Sequence, residues 1–179
     1  MGKFGFIVHP ISAKRDMARK YPLAAWLPER AVEWLIKHVS PRVVSHVTGI
    51  HSTAGAEAEG WFVGCPLTTR QFLELDEEFV LGRVIAAARV AQELGAGIVG
   101  LGAFTSVVAD AGISVAKGVD IAVTTGNSYT VGAAIEGVAQ AARLMGIDPQ
   151  GASAAVVGAT GSVGRVCAHL LSGTVSALC

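Results

Sequence analysis

The stretch Ala154-Ala155-Val156-Val157-Gly158-Ala159-Thr160-Gly161-Ser162-Val163-Gly164 limits what this chain can fold into more than any other. Its first four residues are small or β-branched and apolar, which predicts a short buried strand. A glycine-rich turn follows at once, and Arg165-Val166-Cys167-Ala168-His169-Leu170-Leu171 continues as a helix. Strand, glycine turn and helix together make the opening of a nucleotide-binding βαβ unit. Gly158 lets the chain leave the strand in a tight turn. Gly161, lacking a Cβ, lets a pyrophosphate approach the backbone, and Gly164 lets the helix lie close on the sheet. The free N–H groups of the first helical turn, with the helix dipole, then face the phosphates. Gly158, Thr160, Gly161, Ser162, Val163 and Gly164 are therefore the candidate cofactor-binding residues. The spacing is G-x-x-G-x-x-G, not the strict G-x-G-x-x-G. The wider form is common in enzymes that prefer NADP, although the preference is set elsewhere. The competing reading is an ordinary strand–turn–helix corner whose glycines adopt positive φ.

Composition sets the surroundings of that unit. Lys+Arg and Asp+Glu are 14 each, a formal net charge of zero, so nothing in the overall charge calls for nucleic acid or an acidic membrane surface. Apolar residues make up 51% of the chain and the mean hydropathy is +0.51. Much of this is Ala, Val and Gly, which suits the buried strands and close helix contacts of an α/β fold. The longest uncharged run, residues 149–164, contains a proline, a glutamine, two serines and a threonine, so no transmembrane segment is expected. The N-terminus is too short in its apolar part for a signal peptide. Cys65, Cys167 and Cys179 have neither metal nor disulfide spacing. A cytoplasmic protein without a bound metal is the expectation.

From the N-terminus, residues 4–8 read as a strand stopped by His9-Pro10, and Ser12 as the cap of a short basic helix through Lys20. Pro28 suits the first turn of a second helix with Val32, Leu35, Ile36 and Val39 on one face, and Pro41 ends it. Residues 42–50 predict a strand, 51–60 a loop, and 61–65 a further strand before Pro66. Residues 76–94 predict a helix. Asp76 is its N-cap, Glu77 and Glu78 complement its dipole, Val80, Val84, Ala88 and Ala91 share one face, and Gly95 closes it. Residues 97–102 read as a buried strand running into the small-residue turn Ala103-Phe104-Thr105-Ser106. Residues 119–123 read as another strand, leaving through Thr124-Thr125-Gly126-Asn127. A helix over 128–145 carries Val131, Ile135, Val138, Ala142 and Met145 at steps of four and three, a stripe that predicts a buried helix.

The expected fold class is α/β. An N-terminal α/β substrate domain over residues 1–150 precedes the start of a Rossmann NAD(P)-binding domain over 151–179. That order is shared by the shikimate and amino-acid dehydrogenase-like folds, whose active site lies in the cleft between domains. Only 15 residues follow Gly164, whereas the residue that selects the adenosine ribose is expected about 20 residues beyond the turn. The second nucleotide-binding strand is therefore expected to be missing, and the chain to be a C-terminally truncated part of a longer enzyme. Alone, it is expected to be inactive, to bind NADPH weakly or not at all, and to associate through its unpaired sheet edge, as in a homo-oligomer.

Three segments, in order, carry a resemblance: Gly100-Leu101-Gly102-Ala103-Phe104-Thr105-Ser106, Thr124-Thr125-Gly126-Asn127-Ser128-Tyr129-Thr130, and the glycine turn from Gly158 to Gly164. Together they resemble the long-chain acyl-[acyl-carrier-protein] reductases of cyanobacteria. Val47-Thr48-Gly49 and Trp61-Phe62-Val63-Gly64-Cys65 are also similar to that family, and the likeness covers most of residues 44–171. The resemblance implies NADPH-dependent reduction of a long-chain acyl-carrier-protein or CoA thioester to a fatty aldehyde. A cysteine thiolate takes the acyl group, and hydride from NADPH then releases the aldehyde. The family's nucleophilic cysteine lies beyond Cys179, so the catalytic residue is unknown here. Loop 51–60 and the tail after Leu171 depart from the family's pattern. The alternatives are an amino-acid or shikimate dehydrogenase-like oxidoreductase acting on a small polar substrate, and an inactive truncated fragment.

Thr124, Thr125, Gly126 and Asn127 sit between a strand and a helix N-terminus, where hydroxyls and an amide can position a carbonyl or a nicotinamide. Plain N-capping of the long helix is the other reading. Thr105 and Ser106 either line the same substrate cleft or serve only the turn. Cys65 has no activating cation, base or helix N-terminus adjacent in sequence and reads as a buried, inert thiol. Cys167 reads as a residue packing on the sheet. The five histidines lack ligand spacing and read as structural or surface residues. Trp26, Trp34 and Trp61 read as core, or as the flank of an acyl tunnel.

Overall fold

The computed structural model describes residues 1–106, 110 and 112–179. They form a mixed α/β fold in two compact units, Met1–Thr125 and Gly126–Cys179.

The first unit is built on a five-stranded sheet of β1 (Gly2–Val8), β2 (Arg42–His51), β3 (Glu57–Gly64), β4 (Ile98–Leu101) and β5 (Ala122–Thr124). The strand order is β2-β3-β1-β4-β5. Strand β1 pairs in parallel with β3 and β4, β4 pairs in parallel with β5, and β2 is antiparallel to β3. The helices of this unit are α1 (Ala13–Ala18), α2 (Glu29–Ile36), α3 (Thr69–Glu74), α4 (Glu77–Glu93) and α5 (Ile113–Ala116).

Local sequence sets the helix ends. The Ser12 hydroxyl accepts the Arg15 N–H at 3.2 Å and caps α1. Thr68 and Gln71 close a reciprocal capping box on α3. Asp76 accepts the Phe79 N–H at 3.1 Å to start α4, and Gly95, at φ +85°, ends it. Helix α4 buries Val80, Val84, Ala87, Ala88 and Ala91 against Ile7, Val63, Val99 and Leu101, the alternate residues of the three central strands. The approach is close. A Cβ on Gly5 would stand 2.4 Å from the Cβ of Ala91. On the opposite face, Phe4 lies over Gly60 and Phe6 over Gly100 and Gly102, where any added Cβ would fall within 2.7 Å of a ring atom.

Three expectations for this unit are corrected. Residues 51–60 are not all loop. The chain turns between Ser52 and Ala56, and Glu57 to Gly60 already belong to β3, recruited by pairing with β1 and β2. The inward face of α2 is Val32, Glu33 and Ile36, while Leu35 is exposed. Glu33 can sit there because its carboxylate accepts from Thr68 Oγ1 at 2.9 Å and from Arg70, and its carbonyl accepts from Gln71 Nε2 at 2.9 Å. Trp26 and Trp34 are not core: they are 85% and 59% exposed.

The second unit comprises α6 (Asn127–Leu144), β6 (Ser153–Ala154), α7 (Ser162–Ser172) and β7 (Ala177–Leu178). Strands β6 and β7 are parallel, with Ser153 opposite Ala177 and Ala154 opposite Leu178. The Val156 N–H carries the pairing on to the Cys179 carbonyl at 3.1 Å. The tail therefore forms a short parallel strand beside β6, where the sequence predicts no strand. The first strand is shorter than residues 154–157, and Val157 is fully exposed (100%), because among the described residues β6 has a sheet neighbour on one side only. Helix α6 is a single helix, as its stripe predicts, but it is not buried. Val131 is covered, while Val138 and Met145 lie open.

Gly5→Ala is expected to destabilise the protein by about 1–3 kcal/mol, the usual penalty for overpacking a core. Ala91→Gly in the same chain should recover part of that loss. Urea unfolding followed by circular dichroism measures both, and additive effects would reject the contact. A second expectation concerns acid. Burial pushes the Glu33 carboxyl upward, but hydrogen bonds from Arg70 and Thr68 and the nearby charges of Arg70 and Arg30 outweigh it and hold the group below its usual value. The stability this gives is complete above the unfolded glutamate value, about 4.3, and is lost as pH falls through the lower folded value. The stability gap between wild type and Glu33→Gln should therefore narrow on acidification through that range.

Candidate functional site

Parallel pairing brings the carboxyl ends of β1, β3, β4 and β5 to one edge of the first unit. In open α/β sheets ligands gather at that edge, where connections from neighbouring strands diverge. The chain leaving β1 goes to the β3 side and the chain leaving β4 goes on to β5, so the divergence lies between β1 and β4. His9 and Phe104 bridge it. The Phe104 N–H donates to His9 Nε2 at 3.3 Å, so the ring proton sits on Nδ1, 3.1 Å from the Pro10 carbonyl. The imidazole packs on the rings of Phe72 and Phe104 at 5.1 and 6.1 Å. Beside it Ala103 adopts φ +48°, a left-handed conformation that costs a non-glycine residue energy. Sequence reasoning left His9 among structural histidines. Its one signal was its place directly after the central strand.

Thr105 and Ser106 stand at the exit of β4, and their hydroxyls are spent on the turn. Thr105 Oγ1 is buried and donates to the Gly102 carbonyl at 2.8 Å, and Ser106 Oγ donates to the Ala103 carbonyl at 2.6 Å. Thr124 ends the adjacent β5, opposite Gly100 of β4. The exits that carry Thr105, Ser106, Thr124 and Thr125 are thus neighbours. Gly126, at φ +74°, is the N-cap residue of α6, and no side chain caps that helix. None of Thr124, Thr125, Gly126 and Asn127 is without a partner.

On the same edge a pocket of about 530 Å³ opens between β1, β3, α1 and the start of β2. Cys65 lies in its floor with no exposed surface. Burial pushes the thiol up to about 12, against a smaller opposing pull from the Arg83 charge and a backbone hydrogen bond with Leu67. It is a neutral thiol at physiological pH, in line with the inert reading.

In the second unit the glycine turn has the predicted local form. Gly158 takes φ +82°, the Gly161 N–H closes the turn on the Gly158 carbonyl at 3.0 Å, and the first helical bond runs from the Arg165 N–H to the Gly161 carbonyl at 2.9 Å. No side chain caps α7, so the N–H groups of Ser162, Val163 and Gly164 stand at its positive end. The contact that demands glycine at 164 is not with the sheet. A Cβ there would lie 2.2 Å from the Gly158 carbonyl oxygen, so Gly164 lets the turn fold against its own helix. Thr160, Gly161 and Ser162 are exposed and Val163 is half-buried. Asn127 Nδ2 donates to Ser162 Oγ at 3.1 Å, joining the first turns of α6 and α7. Asn127, Ser128, Val131, Ser162, Val166 and Leu170 line a cleft of about 390 Å³ there.

No family model matches the sequence. The chain is 30% identical over 181 residues to the long-chain acyl-[acyl-carrier-protein] reductase of Synechococcus elongatus, a match covering 93% of this chain and 51% of that protein. It is 31% identical over 178 residues to the aminotransferase PigE of a Serratia strain, covering 94% of this chain and 20% of that protein. The chain thus spans about half the length of one relative and a fifth of the other. The homology is distant, and both relatives are enzymes. Among the described residues no helix is long and apolar enough to cross a membrane.

The thiols supply a direct check of the burial. Cys179 is exposed, and Cys65 and Cys167 are buried. In the native protein a chromogenic disulfide reagent should titrate Cys179 rapidly and Cys65 only after denaturation. Rapid modification of Cys65 in folded Cys179→Ser would contradict the pocket floor described above.

Proposed function

We propose that this chain belongs to an NADPH-dependent reductase that converts a long-chain acyl thioester, carried on an acyl carrier protein or CoA, to a fatty aldehyde. One observation carries the reading. The glycine turn feeds an uncapped helix and returns to a strand parallel to the one it left, in a chain that aligns along 93% of its length with a reductase of that name. In this reading the substrate domain lies within residues 1–150, and residues 151–179 open a Rossmann domain.

The residues fit a dinucleotide's pyrophosphate. Gly164 lets the turn close on its own helix, since a Cβ there would meet the Gly158 carbonyl oxygen, and the N–H groups of Ser162, Val163 and Gly164 add to the helix dipole to seat an anion. The exposed hydroxyl of Thr160 is a further donor toward it. When bound, NADPH supplies the hydride. Asn127, held by Ser162, orients what lies over the first turns of α6 and α7. Cys65 is assigned no part in acyl transfer, because its thiol is held neutral. A dehydrogenase-like activity on a small polar substrate is the second reading, favoured by the charged side chains of Asp16, Arg19, Lys20 and Arg42 at the pocket on the carboxyl edge. The aminotransferase shares a fifth of its length with this chain, too little to support transamination here.

Fluorescence titration of the 179-residue chain with NADPH tests the reading. Saturable binding is expected, to disappear in Gly164→Val and to be unaffected by Cys65→Ala. Undiminished affinity in a folded Gly164→Val protein would reject the phosphate seat.

A further inference from the structure

We propose that the face of the five-stranded sheet turned away from α4 is an interface with a second copy of this chain. Strand alternation sorts the side chains between the two faces. Ile7, Val63, Val99 and Leu101 point to α4 and are buried under it. Pairing puts Lys3 beside Glu59, His46 beside Trp61 and His51 beside Glu57 on that same side. There Glu59 bridges Lys3 and His46 at 3.2 Å each, and Lys3 lies over the Trp61 ring. The charges of these strands are thus taken up on the covered face. The other face carries Phe4, Phe6, Phe62, Val44, Ile50 and Ile98, spread across β1, β2, β3 and β4. Its one ionisable side chain among the described strand residues is Arg42, opposite Gly64 at the carboxyl end. None of the six apolar residues belongs to the core that α4 closes. Val44, Ile50, Ile98 and Phe6 are 59, 41, 41 and 38% exposed.

Parallel strands ordinarily have both faces covered, and the shape of this face limits what can cover it. The rings of Phe4 and Phe6 fill the spaces above Gly60, Gly100 and Gly102, and Phe6 meets Phe62 edge to face at 5.9 Å, so the glycines leave no hollows. A helix, about 10 Å across, would cover about half the width of five strands spaced about 4.8 Å apart. Another sheet face packs over the whole width at a separation of about 10 Å. With one cation at a corner, the face offers little to a charged partner such as a nucleic acid or an acidic protein. The same face of a second copy matches it in width, in level surface and in lack of charge, and a twofold axis buries both at once. The strands present roughly 500 Å² per copy, so a pair buries roughly 1,000 Å² in total, the lower limit of a specific interface. The dimer is therefore weak and exchanges with monomer, with a dissociation constant on the order of 10–100 µM. This face is distinct from the unpaired strand edge of the second unit, through which the sequence predicts association.

Sedimentation velocity of the 179-residue chain from about 1 to about 300 µM brackets that dissociation constant. The sedimentation coefficient should rise with concentration from monomer to dimer and stop there. Val44→Glu and Ile98→Glu put a charge at positions exposed in the monomer, so the circular dichroism spectrum should be unchanged and each should weaken the dimer about tenfold or more. Val157→Lys, beyond the end of β6 and fully exposed, should leave the dimer as it is. Raising salt from about 50 to about 500 mM should not weaken it, because the buried face is apolar. Hydroxyl-radical footprinting of the unaltered chain needs no substitution, and oxidation of Phe6 and Phe62 should fall as concentration rises. A monomer across the whole range would overturn the proposal. So would dimers that survive both folded face variants, dimers lost in Val157→Lys or in high salt, or unchanged oxidation of Phe6 and Phe62 in a sample that dimerises.

Discussion

Ala91 of α4 rests directly on the backbone of β1 at Gly5, and the first unit depends on that contact. With no side chain between them, the helix comes close enough to cover three central strands at once through Val80, Val84, Ala87 and Ala88. That coverage lets β1 lie in the middle of the sheet with parallel partners on both sides, since parallel strands need their faces covered. The opposite face solves the same problem differently. Phe4 and Phe6 lie flat over Gly60, Gly100 and Gly102, so rings on one strand fill the space that side chains on the next would take. Glycines in these strands are spacers for packing, not weak points. Their placement fixes the register that brings His9, Cys65 and the Gly102–Ser106 turn to one edge.

What was legible in the sequence was what neighbours along the chain decide. Asp76 and Gly95 bound α4 because a carboxylate that accepts a backbone N–H and a residue at positive φ act within one turn. The glycine turn at 158–164 was legible for the same reason. What was not legible needed partners distant in sequence. Residues 57–60 look like loop until β1 and β2 pair with them. Glu33 occupies an inward position that pattern alone assigns to an apolar residue, because Thr68, Arg70 and Gln71 reach it from α3 and its cap. The tail after Leu171 carries little strand signal, and its pairing with β6 appears only once α7 has turned the chain back. The stripe on α6 correctly gave a helix but not a buried one, since periodicity says which face is apolar and not what covers it.

The candidate site follows the same division. Gly158, Gly161 and Gly164 could be assigned residue by residue, but the geometry reassigns one reason. Gly164 is there for the Gly158 carbonyl, and the turn closes on its own helix. The hydroxyls of Thr105 and Ser106 follow a strand exit, where they could line a cleft or serve the turn, and both satisfy carbonyls of their own turn. His9 reads in sequence as a structural or surface residue, yet it stands at the divergence of β1 and β4, because only the strand order makes Phe104 its neighbour.

The two units satisfy their polar groups in different ways, and this bears on what each can contribute. At the carboxyl edge of the first unit, side-chain donors and acceptors are largely consumed by backbone. Asp16 serves Ile11 and Ser12, His9 serves Phe104, and Thr105 serves Gly102. The pocket there offers apolar wall and charged side chains, with few side-chain groups left over for chemistry. In the second unit the balance is reversed. The first turn of α7 has backbone donors without a side-chain cap, and the glycines that make the turn leave those donors reachable. Unsatisfied N–H groups at a helix start are costly unless solvent or an anion meets them. A chain that keeps Gly161 at that N-cap position, where Ser or Asp would satisfy one donor from within, gives up stability in the unliganded protein, and the proposed reading gives that cost a use as a phosphate seat.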